Sequence, residues 1–163
     1  MKILIKQICN DENYPRMIMD VLKHVHILDD HDIKKLLFLY WEIVEKTKPD
    51  GTIKDEITLA CNAFRSDLLS ANEFVWGWTL RLISKINIKT VLETCIAAIN
   101  ENLKHRHFYV RWNAVMCLFS IFKNSEWGIE FLENSVDEIN NLLLNEKDIS
   151  TKRNAFILLY HID

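Results

Sequence analysis

Glycine and proline are scarce, with 3 Gly and 2 Pro in 163 residues. An all-β chain needs more of both for its many turns, so this shortage points to long helices joined by short connections. No stretch approaches the ~18 uninterrupted apolar residues of a membrane helix. The apolar start "MKILIKQIC" breaks at Lys6, short of the ~7–15 residues of a signal-peptide core. Any membrane association is therefore expected to be peripheral. Charge of one sign is also missing. Net charge is −3, so nothing overall favours a polyanion, because DNA affinity rests on Lys and Arg neutralising phosphates. The four cysteines, Cys9, Cys61, Cys95 and Cys117, form no CxxC pair. Lying in apolar runs, they are expected to be reduced core thiols of a cytosolic protein. No GxSxG, P-loop, HExxH or dinucleotide fingerprint occurs, and no His-Glu dipeptide of the kind that holds iron in HEAT-type hydroxylases. No catalytic residue, cofactor or metal site is expected. His105 and His107 form an HxH pair without a third and fourth ligand, and His24 and His26 are no better placed for zinc.

What remains is helical periodicity almost throughout. After a fragment at 2–10, helices are expected at about 15–28, 32–46, 53–69, 73–86, 89–103, 107–123, 128–144 and from 148 onward. Pro15 would sit in the first turn of the first. Pro49 and Gly51 end the second, and Asn72 would cap the fourth. Ile18, Val21 and Leu28 would share one apolar stripe, as would Ile129, Leu132 and Ile139. Two kinds of helix alternate. Odd-numbered ones have a single apolar stripe, whereas "LLFLYWEIV", "AVMCLFSIF" and "AFILLY" are apolar over most of their girth. A helix apolar all round must be covered on several sides.

The strings "HFYVRWNAVMCLF" and "DISTKRNAFILLY" say nearly the same thing twice. Taking Leu37, Thr79, Ala114 and Ala155 as equivalent gives spacings of 42, 35 and 41. Their mean is close to the ~40–47 residues of HEAT and armadillo repeats. The expected fold is an all-α solenoid of about four such helix pairs, each unable to bury its apolar surface alone. Residues 1–163 would form a single solenoid segment cut from a longer trunk, since the final "AFILLYHID" has little polar cover. Arg111 with Lys152, and Asn113 with Asn154, recur at equivalent positions. They are read as structural residues that bridge adjacent repeats and satisfy helix-end groups; the alternative is a ligand site.

Trp76 and Trp78 cannot share one helix face at ~100° per residue. One of them is therefore a candidate exposed contact, against a packing role between repeats. "NLKHRHFYVR" gathers Lys104, His105, Arg106 and His107 at a turn. It could meet acidic partner residues or anionic headgroups, or be a solvated turn beside a helix dipole. The candidate partner contacts are thus Trp76, Trp78, Trp112, Lys104 and Arg106.

Longer strings go further. "DHDIKKLL", "WEIVEKTKPDG", "NEF" followed by "GWTLR", "HRHFYVRWNAV" and "NEKDISTKRNAF" resemble, in order and over nearly the whole chain, the N-terminal trunk of the coatomer β-subunit family, one of the adaptin-like trunks. The resemblance implies a curved α-solenoid that acts as a non-enzymatic scaffold of the COPI vesicle coat. It further implies Golgi-to-ER and intra-Golgi transport, other coatomer subunits and a GTP-loaded Arf-family GTPase as partners, and a cytoplasmic chain peripheral on Golgi and vesicle membranes, with no nucleic acid bound. Trp76, Trp78 and Trp112 depart from that family's pattern, in which these positions carry basic or small residues. Two rival readings share the architecture: a HEAT-like nucleic-acid-binding protein of the DNA glycosylase type, which the three Trp residues favour and the net charge opposes, and a clathrin-adaptor trunk.

Overall fold

The computed structural model describes residues 1–10, 17–28, 30–86 and 88–162. The expected place of Pro15 lies outside them. The chain divides into two compact units, Met1–Phe64 and Arg65–Asp163.

In the first unit, α1 (Lys2–Cys9) packs on α3 (His31–Ile43). The fragment expected at 2–10 is thus a helix with a partner, anchored by the buried Leu4. Helix α2 (Met17–Asp20) runs directly into a single π-type stretch, Val21–Val25. Asp30 caps α3, its carboxylate accepting from the N–H groups of Asp32 (3.0 Å) and Ile33 (2.9 Å). These are donors that a helix start otherwise leaves unpaired. The buried indole of Trp41 meets Tyr40 and Phe64 edge-on, with ring centroids 5.2 and 5.4 Å apart. Helix α3 stops at Ile43, earlier than the expected 46. The chain then turns through an isolated Thr47–Ile53 bridge, with Gly51 at φ +82°, a conformation open mainly to glycine. Helix α4 (Asp55–Asp67) follows.

The second unit is built from α5 (Glu73–Lys85), α6 (Lys89–Asn102), α7 (Phe108–Asn124), α8 (Gly128–Glu133), α9 (Val136–Asn145) and α10 (Ile149–Ile162). Helix α5 packs on α7, and α7 on α10, making one layer. On it, α6 lies against α5 and α7, α8 against α7, and α9 against α10. This is the alternation of one-striped and all-round apolar helices turned into two layers. Asn72 Oδ1 accepts from the Phe74 N–H (3.0 Å) at the start of α5, and Asp148 accepts from both the N–H and the hydroxyl of Thr151 (2.7 Å each) at the start of α10.

The helix expected over 128–144 is two helices. Ser135, fully buried, donates to Asn100 Oδ1 on α6 at 2.8 Å. The same hydroxyl lies 3.2 Å from the Phe131 carbonyl four residues back, a local bond of the kind that competes with the helical ladder, and the two helices part there. Three further expectations are corrected. Cys9 is exposed at the end of α1, whereas Cys61, Cys95 and Cys117 are buried thiols outside any disulfide. Leu28 and Ile129, expected on buried stripes, are 42% and 48% exposed. Leu28 lies beyond the helical stretch, and Ile129 follows the Gly128 contact described next.

Leu37, Thr79, Ala114 and Ala155 are all 0% exposed. The repeat alignment therefore places each at a core position of its own helix. Gly128 is similarly tight: a Cβ there would lie 2.6 Å from the Ile121 carbonyl oxygen and 2.7 Å from the Phe122 Cα. Both are backbone atoms that cannot swing aside. Ala114→Leu and Gly128→Ala are each expected to lower unfolding free energy by about 1–3 kcal/mol. Urea titration followed by circular dichroism checks this, and an unchanged midpoint in both would contradict the close packing.

Candidate partner interface

The turn between α6 and α7 is held by Arg111. Its Nε and Nη2 donate to the two carboxylate oxygens of Glu146, at 2.6 and 2.7 Å. Its Nη1 donates to the carbonyls of His105 (2.7 Å) and Arg106 (2.9 Å). Glu146 Oε1 also accepts from the N–H groups of Lys147 (2.8 Å) and Asp148 (2.9 Å), at the entry to α10. One guanidinium thus ties the α6–α7 turn to the α9–α10 turn. The bidentate geometry is the strong form of this contact. The Glu146 side chain is 0% exposed. The bond from Arg111 outweighs the cost of burial and pushes its carboxyl pKa down to about 2, while the same bond raises that of Arg111.

Asn113, equally buried, joins neighbouring helices. Its Oδ1 accepts from Arg81 Nε on α5 (2.9 Å), and its Nδ2 donates to the Tyr109 carbonyl (2.7 Å). The Arg81 guanidinium also lies over the rings of Tyr109 (5.9 Å) and Trp112 (5.8 Å). Tyr109 packs so closely on Gly77 that a Cβ there would fall 2.3 Å from its ring. Of the two other repeated polar residues, Lys152 is exposed and Asn154 half-buried on α10.

Trp76 stands at the position equivalent to Arg111. Its indole N–H donates to the carbonyl of Ser70, six residues back, as Arg111 does to His105. Its ring lies 4.3 Å from the His105 ring, and His105 is the repeat equivalent of Glu146. Tryptophan thereby makes the same two contacts as arginine, replacing the ion pair by ring packing. Trp78 and Trp112 are half-buried. Lys104 pairs with Glu138 (2.8 Å), which raises its pKa, and Arg106 reaches Glu73 (3.4 Å) with its own side chain largely exposed. The structure thus gathers Trp76, Lys104, Arg106 and Arg111 around one turn, with Trp112 one residue beyond Arg111. His105 Nδ1 accepts from the His107 N–H (3.1 Å), and His107 Nδ1 from the Tyr109 N–H (3.2 Å), so both imidazoles serve as backbone acceptors. Among the described residues no three His, Cys, Asp or Glu side chains gather to hold a metal ion. The Cys117 thiol is pushed upward by burial, away from the reactive thiolate.

Sequence reading missed Glu146, Arg81 and Tyr109. Glu146 lies in the four-residue run "NEKD", which carries no motif. Only the repeat register, which aligns it with His105 and Ser70, singles it out.

The architecture and these contacts fit a repeat protein, and comparison with known proteins decides which kind. The model of the adaptin N-terminal region matches residues 1–163. The chain belongs to the adaptin N-terminal region family. It is 49% identical over 161 residues to the coatomer β subunit of Toxoplasma gondii, covering 99% of this chain and 14% of that protein. It is 44% identical over 163 residues to that of Sus scrofa, covering 100% and 17%. The chain therefore spans about a sixth of the length of these relatives. A designed armadillo repeat protein shares the fold with a TM-score of 0.58 at 16% identity, over 85% of this chain and 62% of that one. An engineered protein does so with 0.64 at 18%, over 98% and 67%. At such identities the structures speak to fold alone, and the fold class is the all-α, armadillo-like solenoid expected from the repeat spacing.

Within this adaptin-family unit the buried pair sets a clear energetic expectation. Arg111→Ala leaves a buried carboxylate unpaired, at a cost of about 3–5 kcal/mol near neutral pH. Because the folded-state pKa of Glu146 lies below its ordinary 4.5, the stability it supplies is fully present above pH 4.5 and is lost as pH falls toward 2. The gap between wild type and Arg111→Ala is therefore expected to narrow from pH 5 to pH 3. Urea unfolding at both values checks it, and a gap independent of pH would mean the pair is not what stabilises the turn.

Proposed function

We propose that this chain is a non-enzymatic scaffold segment of the COPI vesicle coat, one stretch of a longer adaptin-like trunk whose residues 1–163 form a single solenoid segment. In this reading it supports coat assembly in Golgi-to-ER and intra-Golgi transport. It works on the cytoplasmic side, peripheral to Golgi and vesicle membranes, and binds other coatomer subunits and a GTP-loaded Arf-family GTPase. The observation that carries the reading is identity of 37–49% to coatomer β subunits from many species, extending over essentially the whole chain. Two features of the molecule support a docking role. No helix among the described residues is long and apolar enough to cross a membrane, so membrane attachment in this reading runs through partners. Trp78 and Trp112 are half-buried and the Arg106 side chain is largely exposed, which suits a docking role, since aromatic and arginine side chains are the residues most enriched at interface centres.

A pull-down with GTP- and GDP-loaded Arf-family GTPase tests the reading, beside the variants Trp76→Arg and Trp78→Ser. Retention of the GTP form alone is expected. Trp78→Ser is expected to weaken it, whereas Trp76→Arg, which sets an arginine against His105, is expected to loosen the turn, a change that circular dichroism of the free chain separates from lost contact. Equal binding of both nucleotide states, or of neither, would remove the recruitment role from this segment.

A further inference from the structure

The net charge of −3 conceals a separation by layer. In the second unit, α5, α7 and α10 together hold six Lys or Arg and a single carboxylate, Glu73. Helices α6, α8 and α9 hold six carboxylates and a single cation, Lys89. Glu73 is moreover engaged by Arg106. Arg111 is neutralised by Glu146, but Arg81, Lys123, Lys152 and Arg153 pair with no carboxylate of the described residues.

The cations are interleaved with aromatic side chains at helical spacing. Phe74, Trp78 and Arg81 follow one stripe of α5. Trp112, Phe119 and Lys123 follow one of α7, and Arg153, Phe156 and Tyr160 one of α10. Residues three and four apart share a helix face. Across helices, Arg81 lies over Trp112 (5.8 Å), and Phe119 meets His161 (5.6 Å), the residue after Tyr160. Phe74, Phe156 and Tyr160 are 60%, 58% and 72% exposed. Where α10 meets α9, Leu143 of α9 and Ile149, Lys152, Arg153 and Phe156 of α10 line an apolar groove of about 350 Å³ with two cations at its rim.

We propose that the open face of the α5–α7–α10 layer is a docking surface for an acidic protein segment bearing aromatic or aliphatic anchors. Charge complementarity selects this occupant. Screening confines electrostatics to about 8 Å at physiological ionic strength, close to the ~8–10 Å between packed helix axes. A short segment on this face therefore meets the basic layer and not the acidic one behind it. The aromatic residues between the cations supply desolvated contact for the apolar anchors of such a segment. The inference is independent of the GTPase reading and stands or falls separately from it.

Fluorescence anisotropy of the whole chain with a short labelled peptide, in which Glu alternates with Leu and Phe, tests it. The peptide is expected to bind, to weaken with added salt, and to lose about tenfold in affinity in Lys123→Glu/Arg153→Glu, since like charge across a contact suppresses association. Lys89→Glu, on the other layer, is expected to change nothing, and a peptide with Lys in place of Glu not to bind. Should the charge-reversal pair unfold by circular dichroism, Lys152→Gln/Arg153→Gln serves in its place. No peptide binding, equal loss in Lys89→Glu, or tighter binding of an oligodeoxythymidine or of phosphatidylserine vesicles would overturn the proposal. So would salt-sensitive self-association in sedimentation that the peptide fails to displace, because the occupant would then be a second copy.

Discussion

The bond between Arg111 and Glu146 is the constraint from which the second unit takes its order. One guanidinium satisfies two carbonyls of the α6–α7 turn and both oxygens of a carboxylate lying ahead of α10. That carboxylate in turn collects two backbone N–H groups of its own turn. Five otherwise exposed or unpaired backbone and side-chain groups are thus resolved at one point, in a site where the acid is fully buried. Hydrophobic packing alone would let neighbouring helix pairs slide, because dispersion is non-directional. A bidentate ion pair is directional, so it sets the register between one pair and the next.

The repeat reproduces that job without reproducing the residue. At position 76 an indole replaces the guanidinium, keeps the hydrogen bond to the carbonyl six residues back, and meets the next turn through a ring contact with His105 instead of an ion pair. The partner has changed with it, from a carboxylate at 146 to an imidazole at 105. A tryptophan facing a carboxylate, or an arginine facing a histidine, would leave one group without a matching contact. The substitution at 76 is therefore intelligible only with its partner. Gly77 completes the local solution by leaving room for the Tyr109 ring on which Arg81 rests.

Much of this was legible in the sequence, and for a definite reason. Helix class, caps such as Asn72, and the equivalence of Leu37, Thr79, Ala114 and Ala155 follow from periodicity, and periodicity records which side of a helix is covered. What stayed hidden depends on a single long-range partner. Ser135, where two helices part, finds its partner in Asn100, thirty-five residues back. Glu146 matters because of Arg111, thirty-five residues distant. Cys9 was misplaced because an apolar neighbourhood in sequence is not an apolar neighbourhood in space: α1 buries Leu4 on its inner side and leaves Cys9 at the open end.

Net charge is silent on the division between the layers for a related reason. A total of −3 describes the far field, which solvent ions extinguish within about a nanometre. A partner in contact feels the near field, and that is set by which helix of each pair carries which sign. In a two-layer repeat the first and second helices face opposite sides, so a modest bias in the composition of each becomes a sharp division in space. Six cations against one carboxylate on one layer, and the reverse on the other, leave the sum nearly unchanged while giving the unit two electrostatically distinct faces. The division also serves the fold. A cation of a second helix can reach a carboxylate of a neighbouring turn, as Arg111 does with Glu146. The arrangement that orders the stack is therefore the same one that leaves Arg81, Lys123, Lys152 and Arg153 uncompensated on its open side.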